Sequence, residues 1–116
     1  MAYDVVRSAA CERDLDLIFD HLIDSYQQTG DSLRDAFRRA EQRLLGIQDD
    51  MAALGKAPFQ GTIMTGIEGN LRHVTKNRAI FYFDVDEARA EIRVLAVFFG
   101  GQNHQRHMLA RLAGGV

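Results

Sequence analysis

Seven apolar residues, Leu33, Phe37, Ala40, Leu44, Ile47, Met51 and Leu54, recur in alternating steps of four and three. That spacing keeps one continuous stripe on one side of an α-helix, and Gly55 followed by Pro58 is the expected stop. A second stripe precedes it. Cys11, Leu15, Ile18, Phe19, Leu22 and Tyr26 recur at threes and fours, with Glu12, Asp14, Asp16, Asp20 and Asp24 expected to face water. Ser8 is placed to cap this first helix, which is predicted to run to about residue 28. Thr29-Gly30-Asp31 interrupts the pattern. Gly30 suits a left-handed C-terminal position, and Asp31 can cap the helix that follows. Two helices joined by so short a turn form an antiparallel hairpin. The stripe is too short for the roughly three to four heptads of a coiled coil, so it is read as packed in a core.

The hairpin needs an apolar surface to cover, and strand-like runs supply one. Tyr3-Asp4-Val5-Val6-Arg7 leads into the first helix. Beyond the second, residues 56–68 lack either period and contain Gly61 and Gly66, which predicts a long connection of the kind often used functionally. Asn70 to Thr75 then turns at Lys76-Asn77 into Arg78 to Val85, and Glu91 to Phe99 follows after Asp86 to Ala90. The last two runs are apolar on both faces, so they are expected at the centre of a sheet covered on each side. Gly100-Gly101 ends the sheet, and Met108, Leu109 and Leu112 mark a short closing helix. The order β-α-α-β-β-β-α predicts an α+β fold, a helical hairpin packed on a mainly antiparallel four-stranded sheet.

At 116 residues and 47% hydrophobic composition, residues 1–116 read as one globular domain. The single cysteine, Cys11, excludes an intramolecular disulfide and a cysteine-based zinc cage. The N-terminus carries neither a basic nor an apolar leader segment, and no apolar run approaches the roughly 20 residues that span a bilayer. A cytoplasmic protein without a membrane association is the expectation. The net charge of −2 is unevenly divided. Residues 1–50 carry six arginines against eleven carboxylates, whereas residues 51–116 carry eight cations against five acids, with His73, His104 and His107 in addition. Coating nucleic acid through its backbone calls for a strong overall excess of Lys and Arg, which is missing. A local basic site belongs in the C-terminal half.

Several ordered patterns together resemble the RelE/ParE superfamily of bacterial toxins. Ser8-Ala9-Ala10-Cys11-Glu12-Arg13-Asp14-Leu15 is similar to the family's entry to its first helix. Pro58-Phe59-Gln60-Gly61 looks like the Pro-x-x-Gly between the second helix and the sheet. Leu71-Arg72 followed by Ile80-Phe81-Tyr82 looks like its Leu-Arg and Tyr strands, and Ile92 to Phe98 resembles its last strand. The resemblance covers about 100 residues and implies the toxin of a toxin–antitoxin pair, with growth inhibition and plasmid stabilisation as its associated roles. It implies a cognate antitoxin as partner, oligomers formed through that antitoxin, and no cofactor. The ParE-like branch implies inhibition of DNA gyrase without bond-breaking chemistry. The RelE-like branch implies a ribosome-dependent mRNA endonuclease that needs no metal.

Metal-free RNA cleavage requires a base for the 2′-hydroxyl, an acid for the leaving oxygen, and cations around the phosphate. For the RelE-like alternative the catalytic candidates are Arg72, His104, Arg106 and His107. On a helix His104 and His107 share a face, and with Arg72 they are expected to meet where the sheet ends. Lys56, Arg72, Arg78 and Arg106 are the candidates for binding nucleic acid or a target. Each has a plainer alternative: the imidazoles as a solvated helix face, Arg72 as partner of an acid such as Glu91, and Tyr82 as core with its hydroxyl at the sheet edge. No metal site is expected, because the histidines lack a third ligand near them in sequence. Only two lysines, near-neutral charge, an acidic first helix and a ParE-like middle of the chain favour the gyrase branch.

Overall fold

The structure is a computed structural model and describes residues 2–64, 71–100 and 104–114. Strand β1 (Asp4–Arg7) leads into helix α1 (Ala9–Gln28), and helix α2 (Leu33–Ala52) returns antiparallel to it and ends in a 3-10 turn (Ala53–Lys56). Strands β2 (Thr62–Ile63), β3 (Arg72–Lys76), β4 (Ala79–Asp86) and β5 (Glu91–Phe99) follow, and helix α3 (His104–Leu112) closes the fold. The expectations for Asn70, for Gly66 and Glu68 in the connection, and for Gly101-Gln102-Asn103 lie outside the described residues.

The sheet has five strands in the order β1-β5-β4-β3-β2, not four. The additional strand is Thr62-Ile63, inside the segment read as a connection. Only two residues pair, Thr62 with His73 and Ile63 with Arg72, and a pair that short carries no period of its own. β1 runs parallel to β5, and every other neighbouring pair is antiparallel. Leu95 is an extra residue in β5, because Tyr82 pairs with Ala96 and Phe83 with Val94.

β4 and β5 are covered on both sides, as their unbroken apolar runs require. Phe81, Phe83, Val85, Ile92, Val94 and Val97 meet the hairpin through Cys11, Leu15, Ile18, Ile47, Met51 and Leu54. On the opposite face Ile80, Tyr82 and Ala96 meet Leu71 and Met108 of α3. Burying each large apolar side chain contributes about 1.5–3 kcal/mol, so the first face carries most of the stabilisation.

Two helix expectations need correction. Ser32, not Asp31, caps α2: its side chain accepts from Asp35 N at 3.2 Å, and Asp31 instead pairs with Arg39 at 2.6 Å. Leu33 and Phe37 are exposed, while Ala36 and Ala40 are fully buried. α2 packs chiefly on α1, and small residues let the helices approach there, so the buried stripe is rotated in its first turns. Gly30 takes φ +111° after α1, as expected. Gly55 serves another purpose besides stopping the helix. Its carbonyl accepts from Tyr3 N at 2.8 Å, and a Cβ there would overlap the Tyr3 carbonyl.

Candidate functional site

The pleat of β3 sends neighbouring residues to opposite faces of the sheet. His73 pairs across β4 with Tyr82 and shares the face covered by α3. Arg72 turns to the hairpin face, where Nη1 donates to the Phe59 carbonyl at 2.8 Å and the guanidinium lies 5.5 Å from the Phe59 ring. Phe59 meets Tyr3 edge-on, which packs on the hairpin core. Among the described residues Arg72 Nε is buried with no hydrogen-bond partner. Arg72 does not pair with Glu91, because β4 separates β3 from β5.

On the other face, Tyr82 Oη lies 2.7 Å from His104 Nδ1, and the His73 ring centroid is 5.2 Å from Tyr82 and 5.7 Å from His104. The Tyr82 side chain is fully buried, and burial pushes its hydroxyl up to about 12. The phenol therefore stays protonated, and it shares one hydrogen bond with His104 Nδ1. Burial first, and the neighbouring His104 second, hold His73 below the ordinary imidazole value. The Tyr82–His104 hydrogen bond joins two groups that can carry a proton, and the His73 ring packs beside them, which makes this cluster the candidate for acid–base chemistry.

The other sequence candidates lie apart from it. His107 is exposed, with its ring centroid 6.1 Å from Phe98, and borders a cleft of about 320 Å³ that Asp14, His21 and Arg111 also line. Arg106 is exposed on α3, Lys56 is exposed on the 3-10 turn, and Arg78 is exposed on the β3–β4 turn. His104 thus meets Tyr82 and His73, while Arg72 lies across the sheet and His107 beside Phe98. The expected meeting of Arg72, His104 and His107 is not what the fold builds.

Sequence reasoning missed the ion pair that docks α3. Asp14 was expected to face water; it is buried, because it lies three residues after Cys11 and four before Ile18, within the apolar stripe. Arg111 donates to both its carboxylate oxygens at 2.9 Å, and Val97 N donates to Oδ2 at 3.0 Å. β1 pairs with β5 only as far as Val94, so Asp14 supplies an acceptor where the neighbouring strand has ended. The Cys11 thiol is driven up to about 12 by burial and next by Asp14, which removes it as a nucleophile. Among the described residues no group of three or more His, Cys, Asp or Glu could hold a metal ion. No described helix is long and apolar enough to cross a membrane.

No protein-family model and no curated protein sequence matches the chain. Solved structures do. The RelBE2 toxin–antitoxin complex of Mycobacterium tuberculosis contains a chain with TM-score 0.63 and 12% identity, covering 85% of this chain and 92% of that one. A chain of the chromosomal ParDE system of P. aeruginosa gives TM-score 0.63 and 19% identity over 84% and 96%. A mutant of the E. coli toxin RelE in the free state gives TM-score 0.55 and 10% identity over 97% and 98%. Identities this low speak for the backbone and not for the site. The chain has the α+β fold of the RelE and ParE toxins.

Proposed function

We propose that this protein, a single domain over residues 1–116, is the toxin of a toxin–antitoxin pair. It arrests bacterial growth in the cytoplasm by inhibiting DNA gyrase, and a cognate antitoxin neutralises it and brings it into oligomers. Support for the toxin role is the shared fold with chains of the RelBE2 and ParDE systems. Support for a binder over a nuclease is the separation of Arg72 from the imidazoles. A crowded phosphate needs its cations and its proton carriers on one surface, and here the sheet stands between Arg72 and the imidazoles, while Asp14 engages Arg111 and leaves Arg106 as the cation of α3 beside them. The two lysines and the net charge of −2 also suit a protein target better than ribosomal RNA.

One observation favours the second reading, ribosome-dependent mRNA cleavage. The Tyr82–His104 contact at 2.7 Å beside His73 is an acid–base arrangement with no evident structural need for two imidazoles. Purified protein decides between them. Inhibited supercoiling or trapped cleaved DNA in a gyrase assay, with ribosome-bound mRNA intact, is the expected result. Primer extension that maps cuts within A-site codons while gyrase is unaffected would overturn it.

A further inference from the structure

The β3–β4 turn carries a costly choice of residue. Asn77 and Arg78 take φ +50° and +71°, the positive pair that defines a type I′ hairpin turn. Asparagine tolerates that region, but its second position strongly prefers glycine, and an arginine there is strained. The turn is also tied down on three sides. Arg43 Nη2 donates to the Asn77 carbonyl at 2.7 Å, Asn77 Nδ2 donates to Asp50 at 2.9 Å, and Gly100 N donates to the Arg78 carbonyl at 3.0 Å. The fold therefore keeps a strained residue at a fixed place in the backbone.

That place is the rim of a cleft of about 410 Å³ whose lining includes His21, Ser25, Tyr26, Arg43, Arg78 and Phe99. Both the Arg43 and Arg78 guanidinium carbons lie 5.5 Å from the Phe99 ring centroid, so two cations flank one aromatic surface. Every polar side chain in the lining can donate a hydrogen bond, and none is a carboxylate. Among the described residues no carboxylate pairs with either arginine. Asp49 and Asp50 line the separate hollow on the α2 side of Arg43. Strained backbone, paired cations and an aromatic side chain coincide at this one cleft.

We infer that this cleft binds an acidic peptide segment, taking a glutamate or aspartate carboxylate on Arg43 and Arg78 and an adjacent apolar side chain on Phe99. Guanidinium forks pair with carboxylates through charge-assisted bonds that need only local positive charge. A nucleic-acid backbone needs a run of cations, and here Asp24, Glu41, Asp49 and Asp50 lie on the same two helices. The inference rests on the chemistry of the cleft and stands separately from the gyrase reading.

The test is an NMR titration of the ¹⁵N-labelled full chain with N-acetyl-Glu-Phe-amide. Saturable shifts centred on His21, Arg43, Arg78 and Phe99 are expected, with a Kd of order mM for so small a probe. The neutral N-acetyl-Gln-Phe-amide should bind at least about tenfold more weakly, as lost charge-assisted bonds require. Arg78→Gly relieves the strained φ, so its Tm should stay level or rise while affinity for the acidic probe falls. Undiminished binding by Arg78→Gly, equal shifts with the glutamine probe, or no saturation overturns the proposal. Preferential binding of an oligothymidylate at these same residues overturns it in favour of a nucleic-acid site.

Discussion

At Asp14 one side chain serves three elements: it sits in α1, accepts from the open edge of β5, and holds Arg111 of α3. The guanidinium is partly exposed and the carboxylate almost fully enclosed, so the two halves of the pair are not equivalent. Arg111→Ala leaves a buried carboxylate without its cation, and a loss of about 2–3 kcal/mol is expected. Asp14→Asn keeps an oxygen for Val97 N and lets Arg111 turn to water, so it should cost less. Denaturant melts of both variants check the order, and a milder Arg111→Ala would contradict the account. His73 gives a pH-dependent counterpart. Its pKa is lowered below 6.5 in the folded state, so the unfolded chain binds that proton more tightly. Stability is then complete above about pH 6.5 and is lost as pH falls through the folded value. His73→Phe should flatten the fall in Tm below pH 6.5. Identical slopes in wild type and variant would remove the effect from His73.

The elements themselves were largely written in periodicity. Both helices, the three long strands and the closing helix follow from apolar spacing, because each must bury a face or a stripe. What periodicity could not convey was pairing. Thr62-Ile63 is a strand only because β3 offers it partners, and β1 lies parallel to β5 although both helices and the rest of the sheet separate them in sequence. The first turns of α2 make the same point: the four–three rhythm runs through Leu33 and Phe37, yet the helix buries Ala36 and Ala40 against α1. A pair of substitutions separates the two accounts. Leu44 packs against the main core, so Leu44→Asp should cost about 2–3 kcal/mol through a poorly solvated charge. Leu33 is 61% exposed at the start of α2, where an acid suits the helix dipole, so Leu33→Asp should stay within about 0.5 kcal/mol. Equal destabilisation would restore Leu33 to the core. The candidate site was less legible than the fold. His104 was singled out by its helical spacing with His107, but its neighbours Tyr82 and His73 come from strands brought over it by tertiary packing alone.

Across the whole molecule, the sheet sets Arg72 apart from the other side chains that metal-free RNA cleavage would have to combine. Arg72 is engaged with Phe59 on the hairpin side, His104 with Tyr82 on the α3 side, and Arg106 and His107 are exposed on α3. A nuclease that loses one transition-state donor or proton carrier typically slows by about 10²-fold or more, and losing several abolishes useful turnover. A binder depends instead on area and a few anchors, and exposed positions outside those anchors contribute little. The combined variant Arg72→Ala, His104→Ala, Arg106→Ala, His107→Ala therefore distinguishes the two modes in one strain. Induced from a plasmid without an antitoxin, it should still arrest growth and inhibit gyrase if the protein works by binding. His104→Ala also removes the Tyr82 contact, so a melt of the purified variant must accompany the growth curve. Restored growth by a variant that remains folded and still binds gyrase would move the function to RNA cleavage. Growth arrest by a folded variant, with messenger RNA intact, would exclude these four side chains as reaction chemistry.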